Sequence, residues 1–121
     1  MSYKVAVASS DGKVVNLHFG RAEQFHIFEI TENKFKYLES RAVTACCHGG
    51  EHETDAFRAV LKALHDVQAV IVSKIGEGAS GFLEANGLTV YEAPYPIKPL
   101  LEKIVQERLY EVDKWQFHMK N

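Results

Sequence analysis

Gln68 to Tyr91, QAVIVSKIGEGASGFLEANGLTVY, is the stretch that decides the fold. Gln68 to Ser73 is a short apolar run rich in β-branched residues, the pattern of a strand covered on both faces. Gly76 to Asn86 reads as a Gly-rich turn and a short helix, with Gly87 placed to cap its C-terminus. Leu88 to Tyr91 is a second buried strand. A strand, a helix and a strand in direct succession make a βαβ unit, and such units place their strands in parallel.

Working outward, Pro94 and Pro96 break the chain, and a helix follows with Ile97, Leu100, Leu101, Ile104 and Val105 on one side. Upstream, Glu53 or Thr54 can cap a helix whose Phe57, Val60, Leu61 and Leu64 form one buried stripe. Near the N-terminus, Tyr3 to Ala8 puts Tyr3, Val5 and Val7 on one face and suits a central strand. Ser9 to Lys13 is a turn, and Val14 to Leu17 reads as a short strand entering His18-Phe19-Gly20-Arg21. Phe25 to Ile30 and Lys34 to Ala42 form a hairpin around Thr31-Glu32-Asn33. The order β-β-β-β-α-β-α-β-α predicts an α/β fold: a single domain with one mixed sheet, an antiparallel meander feeding parallel units, flanked by helices. The domain is expected over residues 1–109. Residues 110–121, with Trp115, Phe117 and Met119 at alternate positions, read as a tail that is either an added strand or an interaction segment.

The chain has 121 residues, 46% of them apolar, which suits one well-filled core. Fourteen basic and sixteen acidic side chains leave a formal charge of -2, so no broad positive field is available for a nucleic-acid backbone. No apolar run reaches the roughly 20 residues of a membrane span, and a soluble, cytoplasmic protein is expected. The two cysteines are adjacent, which excludes a disulfide scaffold and leaves thiols for a metal or for redox chemistry.

Cys46, Cys47, His48 and His52 place two thiols and two imidazoles on one loop with consecutive glycines. Thiolate and imidazole together favour zinc, copper or iron–sulfur species over magnesium or calcium. The spacing matches no C-x-x-C zinc pattern, and a polar loop with one buried cysteine accounts for it equally well. His18 stands where Phe19 can anchor the turn while the imidazole points outward. His26 alternates with Phe25 and Ile27, on the less apolar sheet face. His65 falls at a helix end, and His118 in the tail; none of these three receives a site role. Gly76 to Gly81 formally satisfies G-x-G-x-x-G, but the helix is too short and Glu92 comes too early for a ribose-binding acid. What remains is a helix N-terminus able to hold an anion. Carboxylates for a two-metal site, a G-x-S-x-G elbow and a Walker loop are absent from the sequence.

Three stretches, VAVASSDGKVVNLHFGRAEQFHIFEI, the cysteine loop, and VIVSKIGEGASGFLEANGLTVYEAPYPIKPLLEKIV, together resemble the dinitrogenase iron–molybdenum cofactor biosynthesis family. That family includes NifX, the C-terminal domain of NifB and NafY-like carriers, and the resemblance covers roughly residues 3–107. It implies a ribonuclease H-like fold and a non-catalytic carrier that passes an iron–sulfur or iron–molybdenum cofactor, or a precursor, between assembly and acceptor proteins in nitrogen fixation. It also implies that His18 is a ligand, with Cys46 or Cys47 a second. The doubled cysteine and His48 depart from the single cysteine expected of relatives. Arg21 and the N–H groups of Gly76 to Gly78 are the candidates for steadying an anionic cluster. The rival expectations are a thiol redox protein using Cys46 and Cys47, and a zinc- or anion-binding regulatory domain.

Overall fold

A computed structural model of the chain describes residues 3–31, 34–43 and 53–106. Its elements are β1 (Tyr3–Ala8), a single 3-10 turn (Phe19–Arg21), β2 (Gln24–Thr31), β3 (Lys34–Ala42), α1 (Glu53–Ala63), β4 (Ala69–Val72), α2 (Glu77–Ala85), β5 (Thr89–Glu92) and α3 (Ile97–Gln106). The five strands form one sheet in the order β3-β2-β1-β4-β5. β1 pairs antiparallel with β2, and β2 with β3, whereas β1, β4 and β5 run parallel. This is the mixed α/β sheet of the ribonuclease H-like order, with β1 at its centre.

Alternation along β1 divides the core into two layers. Val5 and Val7 join Ile71, Tyr91, Ile97, Leu101 and Ile104 beneath α3. Ala6 and Ala8 face the other way, toward Val60 of α1, Leu64 just after it, and Ala79 and Leu83 of α2. The small side chains let two helices approach on that face, and the valines fill the side covered by one. Leu83 and Leu101 are both completely buried, which stabilises the fold by about 1.5–3 kcal/mol each. Among the described residues, no helix is long and apolar enough to cross a membrane.

The segment expected as a strand from Val14 to Leu17 does not form one. Instead it is fastened to two different elements across the end of the sheet. The Val15 N–H donates to Tyr95 O at 3.0 Å and the Ile97 N–H to Lys13 O at 2.8 Å, and then the Ser73 N–H donates to Leu17 O at 3.0 Å and the Phe19 N–H to Lys74 O at 2.9 Å. Extended residues that change partner this often cannot build a ladder, although their apolar alternation looks the same in sequence.

At the opposite end, Asp66 ties the approach to β4 to two strands. Arg41 reaches it with Nη1 on Oδ1 at 2.6 Å and Nη2 on Oδ2 at 3.1 Å, and Lys4 Nζ lies 3.0 Å from Oδ2. The Arg41 guanidinium, followed by the Lys4 ammonium, outweighs partial burial and holds the Asp66 carboxyl well below the usual carboxylate range. A depressed carboxyl contributes stability that is fully present above its unfolded value and is lost as the pH falls through the folded one. Asp66→Asn should therefore cost about 1–2 kcal/mol at neutral pH in urea titrations. The gap between variant and parent should close as the pH falls below about 4. A constant gap across that range would show that the charge does not matter.

Candidate functional site

The strand pairings align Ala42, Gln24, Ala8, Val72 and Glu92 along one edge of the sheet. This edge holds the carboxyl ends of β1, β4 and β5, where open α/β sheets bind ligands. The chain from Ser9 to Glu23 lies over it, and two turns fix its course. In the first, the buried Ser9 hydroxyl donates to Asp11 Oδ1 at 3.1 Å and accepts the Gly12 N–H at 2.9 Å, while Asp11 Oδ1 accepts the Lys13 N–H at 2.8 Å. The Lys13 N–H, and after it that of Val14, holds the Asp11 carboxyl below its ordinary range. Gly12 closes the turn at φ 74°, with the His26 ring 3.6 Å from where a Cβ would stand. His26 braces the same turn, its Nε2 3.1 Å from Ser9 O and its Nδ1 3.2 Å from Ser40 Oγ.

His18 opens the second turn. Its backbone is extended, at φ -74° and ψ 148°, and it forms a parallel bridge with Lys74 just beyond β4. Phe19, 3% exposed, packs its ring 6.3 Å from that of Phe25 and 6.1 Å from that of Phe57 in α1. The buried phenyl and the bridge fix the backbone, and the His18 side chain is left exposed. Among the described residues its ring has no hydrogen-bond partner, so both nitrogens are available to an outside group. Arg21, also exposed, ends the same 3-10 turn and makes no ion pair with a described residue.

Gly76 and Gly78 follow Lys74 on this edge. Gly76 is the N-cap of α2 without a side-chain cap, and a Cβ at either glycine would meet nothing within 4 Å. Packing does not demand glycine there, and its effect is to leave the first N–H groups of α2 approachable. Glu92 Oε2 accepts the Ile75 N–H at 2.9 Å and so fixes the turn before α2. The structure thus brings His18, Arg21, Gly76 and Gly78 to one edge.

Cys46, Cys47, His48 and His52 lie outside the described residues, as does the tail. The described residues on either side of that loop belong to the same edge. The Val43 N–H donates to Glu23 O at 2.9 Å, and Phe57 of α1 touches Phe19 beside His18. Among the described residues, no three His, Cys, Asp or Glu side chains converge as a metal site. Lys74, His26 and Glu92 are parts of this edge that sequence reasoning did not assign. Their roles arise from pairings between distant segments, for which no local spacing gives a signal.

Comparison with known proteins gives a consistent picture. The family model described as dinitrogenase iron-molybdenum cofactor matches residues 1–107. The FeMo cofactor biosynthesis protein NifB of Herbaspirillum seropedicae is 41% identical over 88 residues, covering 73% of this chain and 17% of that protein. NifB of Klebsiella pneumoniae is 34% identical over 111 residues, covering 86% of this chain and 24% of its own length. The chain therefore corresponds to less than a quarter of either relative. Among solved structures, PH0822 matches with a TM-score of 0.67 at 22% identity, over 86% of this chain and 89% of that one. MJ0327 of Methanocaldococcus jannaschii matches with a TM-score of 0.59 at 18% identity, over 88% and 91% of the two chains. These two likenesses establish the shared fold, and the family match extends across every described strand and helix: the chain belongs to the dinitrogenase iron-molybdenum cofactor family.

Proposed function

We propose that this domain holds an iron–sulfur or iron–molybdenum type cofactor, or a precursor of one, on the edge described above, and delivers it to an acceptor in nitrogenase cofactor assembly without catalysing a reaction. The observation that carries the reading is the presentation of His18: its backbone is fixed on both sides while its imidazole is exposed and, among the described residues, unengaged. Membership of the family and the FeMo cofactor biosynthesis names of the relatives support the choice of guest. Cys46 or Cys47 is the proposed second ligand, with His48 and His52 as further donors on the same loop. The attachment of both ends of that loop to the His18 edge supports this pairing.

Few protein ligands suit a carrier. An imidazole and a thiolate leave most of a cluster's coordination to other groups, so the guest can leave by exchange, whereas a closed four-ligand site would retain it. Arg21 and the uncapped N–H groups at Gly76 to Gly78 would favour a negatively charged guest without forming a bond that has to be broken.

The test is anaerobic reconstitution with ferrous iron, sulfide and a small thiol, followed by gel filtration, metal analysis and visible absorption. His18→Ala should reduce cluster affinity by about tenfold or more. Because His18 is exposed and its backbone pairing is retained, far-ultraviolet circular dichroism should be unchanged. Equal loading of variant and parent would remove His18 from the site. Retained thiol reductase activity in metal-free protein would argue for a redox role of Cys46 and Cys47 instead.

A further inference from the structure

We infer that the guest of this edge is anionic and that Lys74 is the residue that recognises its charge, an inference that rests on the cofactor-holding reading above. Lys74 and His18 are bridge partners in parallel register, so their side chains leave the backbone side by side on the same face of the pair. Both are exposed. The Lys74 ammonium has no ion pair or hydrogen bond with a described residue, in contrast to Lys4, which is held by Asp66. Glu92 turns one carboxylate oxygen to the Ile75 N–H, the amide directly after Lys74, and forms no ion pair with Lys74. Glu77 lies in the first turn of α2, where the helix dipole favours its charge. The residue bridged to the candidate ligand therefore carries an exposed ammonium that no described residue engages.

Sulfide-bridged metal clusters with thiolate ligands carry net negative charge, as do oxoanions and thioanions of molybdenum. A protonated amine does not coordinate metal, so Lys74 adds attraction without adding a bond. That division of labour suits transfer: His18 determines whether the guest is bonded, and Lys74 raises the rate and strength of capture. An acceptor can still take the guest by exchanging the imidazole. Such a contribution is electrostatic and exposed, so it weakens with added salt.

The test compares the parent chain with Lys74→Gln, Lys74→Arg and His18→Ala in anaerobic titrations with two probes of opposite sign. One is an iron–sulfur cluster assembled from ferrous iron, sulfide and a small thiol; the other is ferrous ion alone. Lys74→Gln should weaken cluster uptake by about fivefold at low salt, with a smaller loss at high salt. It should leave ferrous ion binding equal or slightly tighter, and the spectrum at saturation unchanged. Lys74→Arg should restore uptake. Equal cluster affinity in Lys74→Gln, or a parallel loss of cluster and ferrous ion, overturns the inference. If Lys74→Gln is neutral while His18→Ala loses the cluster, only the charge assignment falls. If His18→Ala is neutral while Lys74→Gln weakens uptake, only the ligand assignment falls. A parent chain that takes up no cluster removes both.

Discussion

Phe19→Ala should destabilise the domain by about 3–5 kcal/mol and weaken cofactor retention in the same step. The phenyl is 3% exposed and lies between Phe25 of β2 and Phe57 of α1, and Phe57 in turn packs 5.7 Å from Phe82 of α2. Truncation leaves a cavity beside two aromatic rings from two elements, Phe25 and Phe57, the second braced in turn by Phe82, a setting in which neighbours cannot easily collapse. A loss of this size is a large part of the 5–15 kcal/mol available to a typical domain. His18 precedes this anchor directly. Once the phenyl is gone, the backbone that carries the imidazole is left to the bridge to Lys74 and to the Arg21 N–H on His18 O. Phe19→Leu separates the two effects, because it keeps most of the apolar volume and should cost less than about 1.5 kcal/mol. Urea unfolding gives the stability change, and reconstitution at a temperature where both variants are folded gives the binding change. A Phe19→Ala midpoint close to that of the parent would show that the phenyl is not packed as described.

The same residues explain which parts of the molecule can be read in the sequence. β4, α2 and β5 are legible because each signal is local: a β-branched run, an uncapped glycine entry, and Gly87 at φ 93° where the chain leaves the helix. β1 spans Tyr3–Ala8 as its alternation requires. The path from Val14 to Leu17 is not legible. Its alternation of apolar and polar side chains is real, with Val15 buried, but the hydrogen bonds of residues 13–19 go to Tyr95, Ile97, Ser73 and Lys74 instead of one neighbouring strand. The outward exposure of His18 follows from the apolar Phe19 beside it, whereas its proximity to Lys74 depends on β1 and β4 being neighbours. Glu92, which comes too early to serve a ribose, has a structural task in holding the Ile75 N–H. His26 reads in sequence as a residue of the less apolar sheet face, and both of its nitrogens are engaged, Nε2 with Ser9 O of the turn and Nδ1 with Ser40 Oγ of β3.

Alkaline pH should weaken the fold through a pair of tyrosines on the α3 side. Tyr3 of β1 and Tyr91 of β5 share a hydrogen bond, and Tyr91 is 3% exposed. Burial, opposed only in part by the Tyr91 hydroxyl, pushes the Tyr3 phenol up to about 12. Burial, together with the neighbouring Tyr3, pushes Tyr91 far above its ordinary value. Both groups are therefore held neutral in the folded state at pH values where the unfolded chain ionises. A raised folded value means that the contribution is fully present below the unfolded one, near pH 10, and is lost as the pH climbs toward about 12. The loss from Tyr3 alone should be on the order of 2–3 kcal/mol. Tyr3→Phe should therefore cost about 1 kcal/mol at neutral pH, where a hydrogen bond is lost, yet unfold less readily than the parent near pH 12. Tyr3→Phe combined with Tyr91→Phe should flatten the alkaline limb further. Chemical unfolding at a series of pH values, followed alongside tyrosinate absorbance, makes the comparison. If Tyr3 and Tyr91 ionise near pH 10 in the folded protein, the two phenols are not buried together beneath α3.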